Sequence, residues 1–167
     1  GGKPILWHIM KTYAAQGHNE FILCLGYKGE VIKQWFRNLR WMTSDVTIEL
    51  GGAFAPIFHD SIEEEGWKIT MAETGLDTMT GGRIKKIQKY IGDDSEFLMT
   101  YGDGVSNIDI GASIRFHSES SRVLTLSGVY PPGRWGEIVV KDGNVNTFYE
   151  KPQTSSSFVN GGYFVAS

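Results

Sequence analysis

The sequence predicts an α/β fold, and three observations predict it. The opening third alternates a helical pattern, a short apolar run and a second helical pattern. An apolar strand then recurs after each later helical segment. Beyond residue 122 the pattern turns to closely spaced strands joined by turn residues.

The elements follow in order. In "PILWHIMKTYAAQG" (4–17) Pro4 sits at a first-turn position and Gly17 at a stop. Ile5, Ile9 and Met10, with Leu6 and Tyr13, recur at helical spacing. "FILCLGY" (21–27) is a continuous apolar run, the mark of a strand buried on both faces. "KGEVIKQWFRN" (28–38) sets Val31, Ile32, Trp35 and Phe36 on one helical face. "VTIEL" (46–50) and "WKITMAET" (67–74) read as strands, with a loop or irregular hairpin across 51–66. "TGGRIKKIQKYIG" (80–92) places Ile84, Ile87 and Ile91 on one face, with Arg83, Lys85, Lys86 and Lys89 mostly on the other. "EFLMTYGD" is the next strand and "IGASIRFHSES" the next helix. "VLTLSGVYP", "EIVVKDG", "NVNTFYEKP" and "GGYFVAS" are strand-like. Asp142-Gly143 between two alternating runs predicts a hairpin. "QTSSS" (153–157) is too short to separate domains, so 1–167 is expected to be a single domain.

Composition narrows the function classes. The 167 residues suffice for one domain with a real core. A net charge of −3, from 16 basic and 19 acidic residues, suggests neither nucleic acid nor an anionic membrane as partner. No apolar run reaches the length of a membrane span. Cys24, the only cysteine, excludes a disulfide framework and fits a reducing, cytoplasmic setting. No G-x-G-x-x-G, Walker A, H-E-x-x-H or G-x-S-x-G motif occurs. The four histidines are scattered, which suits surface or capping roles.

Three stretches carry candidate chemistry, each with a plainer alternative. In "FLMTYGDGVSNID", Asp103 follows an apolar strand between Gly102 and Gly104. Ligands of α/β sheets lie beyond the carboxyl ends of strands. Mg²⁺ takes one or two carboxylates and completes its shell with phosphate oxygens and water. The alternative is an Asp-Gly turn. In "ETGLDTMTGGRIKKI", Gly81 and Gly82 open a helix whose free amides favour an anion, with Thr78 and Arg83 as added donors. The alternative is a Thr-capped helix with a solvated basic face. In "PPGRWGEI" and "FYEKP", Gly136 suits close approach of a ligand ring, Glu150 hydrogen bonds from sugar hydroxyls and Lys151 a phosphate, and "VNGGYF" adds Asn160 and two glycines, Gly161 and Gly162. A surface Glu-Lys pair and a β-bulge are the alternatives.

The order of these stretches is more specific than any one of them. "GGKPILWHIMK", "GYKGEVIKQWF", "TGLDTMTGGRIKKI", "FLMTYGDGVSNIDI", "PPGRWGEI", "EKP" and "NGGYFV" together resemble the sugar-1-phosphate nucleotidylyltransferases, and among them the glucose-1-phosphate cytidylyltransferases. The resemblance implies a Rossmann-like α/β/α nucleotidyltransferase fold with a mixed sheet. It implies the reaction of CTP with α-D-glucose 1-phosphate to CDP-glucose and pyrophosphate, used in bacterial deoxysugar and O-antigen synthesis. It makes Asp103 the Mg²⁺ ligand and catalytic carboxylate. Thr78, Gly81, Gly82, Arg83 and Gly102 fall on the nucleotide side, and Gly136, Glu150, Lys151, Asn160 and Gly161 on the sugar-phosphate side.

The chain departs from the family pattern too. It begins "GGKPIL" without Met and stops at "YFVAS", so both ends are expected to be cut. The family's G-G-x-G-T-R loop, its first strand and a second, downstream metal-binding Asp are not among the 167 residues. A weak or inactive isolated chain is expected, and a homo-oligomer that completes the sheet by strand exchange or edge pairing. Two other functions stand beside the first: a non-catalytic nucleotide- or sugar-phosphate-binding remnant, and a transferase using UTP or dTTP.

Overall fold

A computed structural model describes residues 2–52, 55–62, 64, 66–131, 136–150 and 158–167. Lys151, the stretch 153–157 and residues 132–135 of "PPGRWGEI" lie outside the described residues. The fold is mixed α/β, with parallel and antiparallel pairing. The described residues form two compact units, Met10–Asp94 and Gly1–Ile9 with Ser95–Ser167.

Helix α1 (Ile5–Ala14) runs from one unit's sequence into the other's. Trp7, Ile9, Met10 and Tyr13 are its buried side chains, while Ile5, which shares their helical spacing, stays exposed. No helix is long and apolar enough to cross a membrane among the described residues.

In the unit 10–94, β1 (Glu20–Leu25) pairs in parallel with β4 (Lys68–Glu73), from Glu20–Lys68 to Leu25–Glu73. A parallel pair needs a long crossover, supplied by α2 (Gly29–Thr43) and the short antiparallel pair β2 (Val46–Thr47) and β3 (Ile57–Phe58). The strand expected over 46–50 therefore ends at Thr47. Ile48 and Leu50 are exposed, Leu50 by 92%, and give a longer strand nothing to bury against. Of the loop or irregular hairpin expected over 51–66, the described residues hold one two-residue strand, β3, which pairs back with β2 outside the stretch. Helix α3 (Thr80–Ile91) closes the unit, with Ile87 buried.

In the other unit β9 (Val159–Ala166) is the middle strand, antiparallel to both β5 (Phe97–Thr100) and β6 (Leu124–Val129). Tyr163 to Ala166 are all buried, so β9 is the core of this unit. Helix α4 (Ile110–Ser120) starts on Asp109, whose carboxylate accepts from the Ala112 amide at 2.7 Å. His117 of α4 is not at the surface, as the scattered histidines suggested, but only 2% exposed. Its Nδ1 meets Thr125 Oγ1 and its Nε2 meets Ser167 Oγ, each at 2.8 Å. A hydroxyl at each ring nitrogen lets a polar ring stay in a core. The hairpin β7 (Glu137–Lys141) and β8 (Asn144–Tyr149) turns at Asp142 (φ 51°) and Gly143 (φ 80°), the two left-handed residues of a type I′ turn.

Candidate functional site

The candidate residues fall into three groups, each within one unit. The first stands at the carboxyl ends of β1 and β4. Thr74 is 1% exposed there; its amide and its hydroxyl both donate to the Leu25 carbonyl, at 2.9 and 2.7 Å. Arg83, one turn into α3, reaches back to the same place. Its Nη1 donates to the Leu25 carbonyl at 3.1 Å and to Thr74 Oγ1, and its Nη2 to the Leu76 carbonyl at 3.2 Å. Lys86, one turn later, donates to the Thr74 carbonyl at 2.7 Å and to Thr78 Oγ1 at 3.1 Å. Thr78 does not cap the helix: Met79 is the N-cap residue, and the Thr78 hydroxyl donates to the Thr74 carbonyl at 2.7 Å.

This corrects the expected solvated basic face of α3. Only Lys85 and Lys89 point along the helix surface, to Gln88 and over the Tyr90 ring. Arg83, half-buried, and Lys86, still exposed, turn toward the strand ends, whose carbonyls need donors. The approach is tight. A Cβ on Gly26 would stand 2.9 Å from Arg83 Nη2 and 3.1 Å from the Gly75 carbonyl. A Cβ on Gly82 would stand 2.9 Å from Thr78 Cγ2, whereas one on Gly81 would meet nothing within 4 Å. Among the described residues neither cation meets a carboxylate; the acid at the end of β4, Glu73, pairs with Lys33 of α2. The thiol of Cys24, on β1, is pushed up by burial and pulled partly back by Arg83.

The second group is the loop after β5 and the start of β9. Gly102 and Asp103 are exposed. On one side of them the Asn160 amide donates to the Tyr101 hydroxyl at 3.2 Å. On the other the Tyr163 hydroxyl donates to the Gly104 carbonyl at 3.0 Å. Burial raises the Tyr163 pKa above its ordinary range, against smaller lowering by the Ser106 backbone and Thr100. Asn160 Oδ1 also accepts from the Gly162 amide at 2.8 Å. Here β9 is irregular: between the pairs Leu126–Phe164 and Gly128–Asn160, Ser127 alone faces Gly161, Gly162 and Tyr163. Gly162 has φ +81°, and a Cβ on Gly161 would stand 2.9 Å from the Ser127 carbonyl. The bulge accounts for both glycines without a ligand. The third group is the open end of the β7–β8 hairpin. Gly136 and Glu150 flank its last pair, Glu137–Tyr149. The Phe148 ring lies so close to Gly136 that a Cβ would stand 2.6 Å from its Cζ. Glu150 is exposed.

Sequence reasoning passed over Gly26, Thr74, Lys86, Tyr101 and Tyr163. One signal was available. "CLG" and "AETG" end apolar strands on glycine just as "MTYG" does, and only the last had an acid to draw notice. For a divalent cation, no group of three or more His, Cys, Asp or Glu lies close enough to form a protein-only cage among the described residues. The donor set still fits Mg²⁺ held jointly with phosphate. Asp103 presents a hard carboxylate to solvent, and a Cβ on either flanking glycine would meet nothing within 4 Å, which leaves room for a hydrated ion.

Similarity to known proteins agrees with this architecture. The sequence model of the nucleotidyl transferase family matches residues 1–167. Glucose-1-phosphate cytidylyltransferase of Salmonella typhimurium is 46% identical over 165 residues, 99% of this chain and 63% of that protein. Probable glucose-1-phosphate cytidylyltransferase of Bacillus subtilis is 45% identical over 167 residues, all of this chain and 64% of that protein. The chain thus spans just under two thirds of the length of these relatives. The crystal structure of HddC from Yersinia pseudotuberculosis, complexed with GMP-PN, superposes with a TM-score of 0.62 at 24% identity, over 99% of this chain and 64% of that one, and shares the fold.

Proposed function

The chain belongs to the nucleotidyl transferase family, and from that premise we propose that it takes part in transfer of a cytidylyl group from CTP to glucose 1-phosphate. An oxygen of the sugar phosphate attacks the α-phosphorus of CTP. The new P–O bond forms as the bond to the β-phosphate breaks, and pyrophosphate leaves with that electron pair.

The observation that carries the reading is the charge at the ends of β1 and β4. Among the described residues Arg83 and Lys86 are hydrogen-bonded only to carbonyls and hydroxyls, so two positive charges stand there without a carboxylate partner beside the positive end of α3. A site of this sign binds an anion, and the two relatives named above act on phosphates. In this reading Thr78, Gly81, Gly82, Arg83 and Gly102 serve the nucleotide. Gly136, Glu150, Lys151, Asn160 and Gly161 serve the sugar phosphate. Asp103 would hold Mg²⁺, which when bound neutralises phosphate charge and polarises the reacting phosphorus. The protein's share is to position two anions and oppose their charge. Residues 1–167 act as one nucleotidyltransferase-like domain in the cytoplasm. The G-G-x-G-T-R loop that opposes triphosphate charge in the family is not among these residues, so the isolated chain turns over slowly or not at all.

Nucleotide-dependent thermal shifts test this, since a ligand that binds the folded state raises its midpoint. CTP with Mg²⁺ is expected to stabilise the chain more than UTP or dTTP, and Lys86→Gln to remove most of the shift. Equal shifts for the three nucleotides would refute the cytidylyl assignment. No shift with any of them would refute nucleotide binding by this chain.

A further inference from the structure

Asp103 sits on an exposed loop, yet function requires its carboxylate in one place. We propose that Tyr163 and Tyr101 are positioning residues that hold this loop from both sides, an inference that rests on the role given to Asp103 above.

The connectivity carries it. Tyr101 precedes Gly102-Asp103 and Gly104 follows them. Each side is tied to the same strand, β9: Tyr101 through Asn160, and Gly104 through Tyr163. β9 is the most buried strand of its unit. Three further contacts stiffen the first tie. The Tyr101 ring packs edge-on to Phe164, with centroids 5.6 Å apart. Its Cδ2 lies 3.1 Å from where a Cβ of Gly162 would stand, so the bulge makes room for it. The Gly162 amide fixes the Asn160 side chain that binds the Tyr101 hydroxyl. The second tie is one hydroxyl on a buried side chain, which donates to the Gly104 carbonyl. Two glycines flank Asp103 with open space around them. Without ties, such a Gly-Asp-Gly segment samples many conformations and presents its carboxylate in few of them.

The test uses Tyr163→Phe and Tyr101→Phe in the 167-residue chain, with Tyr130→Phe as a control away from the loop. Each site variant removes one hydroxyl and keeps the ring. Backbone ¹⁵N relaxation should show amides 103–105 as rigid in the wild type, with order parameters near 0.8, falling toward about 0.6 in both site variants. The Mg²⁺ concentration that half-saturates CTP binding should rise on the order of two- to tenfold, the worth of one hydrogen bond, while Mg²⁺-free CTP binding stays as it was. Unchanged order parameters in both variants would overturn the inference. So would a loosened loop with an unchanged Mg²⁺ requirement, because the ties would then serve packing alone. A wild-type chain that binds CTP without regard to Mg²⁺ would overturn the role of Asp103 instead, and the relaxation data would still report separately whether the ties exist.

Discussion

Replacing Arg83 by Met removes every hydrogen bond that joins α3 to the ends of β1 and β4 through this side chain. A naive count of four bonds overstates the loss. The Cys24 carbonyl lies 3.5 Å from Nη1, at the limit of a hydrogen bond, and contributes little. The Leu76 carbonyl is exposed and takes water instead. The Leu25 carbonyl keeps two donors, both from Thr74. What is left unsatisfied is the acceptor side of the buried Thr74 hydroxyl, together with one charge-assisted bond to Leu25. Bonds of this kind are worth about 1.5–3 kcal/mol. For a chain of this length that is a fall in Tm of roughly 3–12 °C. Arg83→Lys should recover only part of it, because an ammonium has no planar fork to span the Leu25 and Leu76 carbonyls. Urea denaturation of wild type, Arg83→Met and Arg83→Lys measures all three values. A loss for Arg83→Met under about 0.5 kcal/mol, the scale of ordinary surface substitutions, would refute the claim that Arg83 is built into the fold. Full recovery by Lys would refute the role of the fork.

Two further predictions follow from the same geometry. Gly102→Ala should leave stability within about 0.5 kcal/mol of wild type, since its Cβ meets nothing, yet weaken CTP binding in calorimetry; Gly162→Ala, at φ +81° against the Tyr101 ring, should cost at least about 1 kcal/mol in urea. Equal costs at both positions would contradict this assignment of the glycines. The Cys24 thiol, raised by burial, stays neutral in the folded chain after the unfolded chain has begun to ionise. Its contribution to stability is therefore complete below the ordinary thiol range and is lost as pH rises through the raised folded value. Above the ordinary thiol value of about 8.5 the urea midpoint should fall more steeply with pH in wild type than in Cys24→Ala, and equal slopes would argue against a buried thiol.

Much of the fold is legible in the sequence because its signals are local. The Asp142-Gly143 turn, the helix stretches 5–14 and 80–91 and the strand "FLMT" each rest on residues within one element. What was not legible depends on residues far apart in the chain. His117 reads as a solvated histidine until Thr125 and Ser167 close on both ring nitrogens. Ile48 and Leu50 have strand-forming side chains but no pairing partner among the described residues. Arg83 and Lys86 share the periodicity of Lys85 and Lys89 closely enough that only the position of the strand ends tells them apart. The candidate site shows the same division. The turn-like glycines and the acid at 103 stand out in the string, while Tyr163, 60 residues later, ties their loop through one hydroxyl and leaves no local trace.

The cations at the ends of β1 and β4 differ in their partners from two other lysines of the same unit. Lys68 meets Glu20 and Lys33 meets Glu73, and each pair presents almost no net charge beyond its own length. Arg83 and Lys86 are held just as firmly, but by neutral oxygens. A carbonyl orients a cation and replaces part of its hydration without cancelling its charge. The field of both groups thus remains available to an anion, with no rearrangement needed when one binds. Preorganised charge of this kind is what stabilises a phosphoryl-transfer transition state, and a carboxylate partner at the same distance would have destroyed it. The short side chain of Thr74 is part of the device. It fills the space between Leu25 and Arg83 with a hydroxyl that donates to one and accepts from the other. An acid there would pair with Arg83 and cancel it, and an alanine would leave the guanidinium without its inner acceptor.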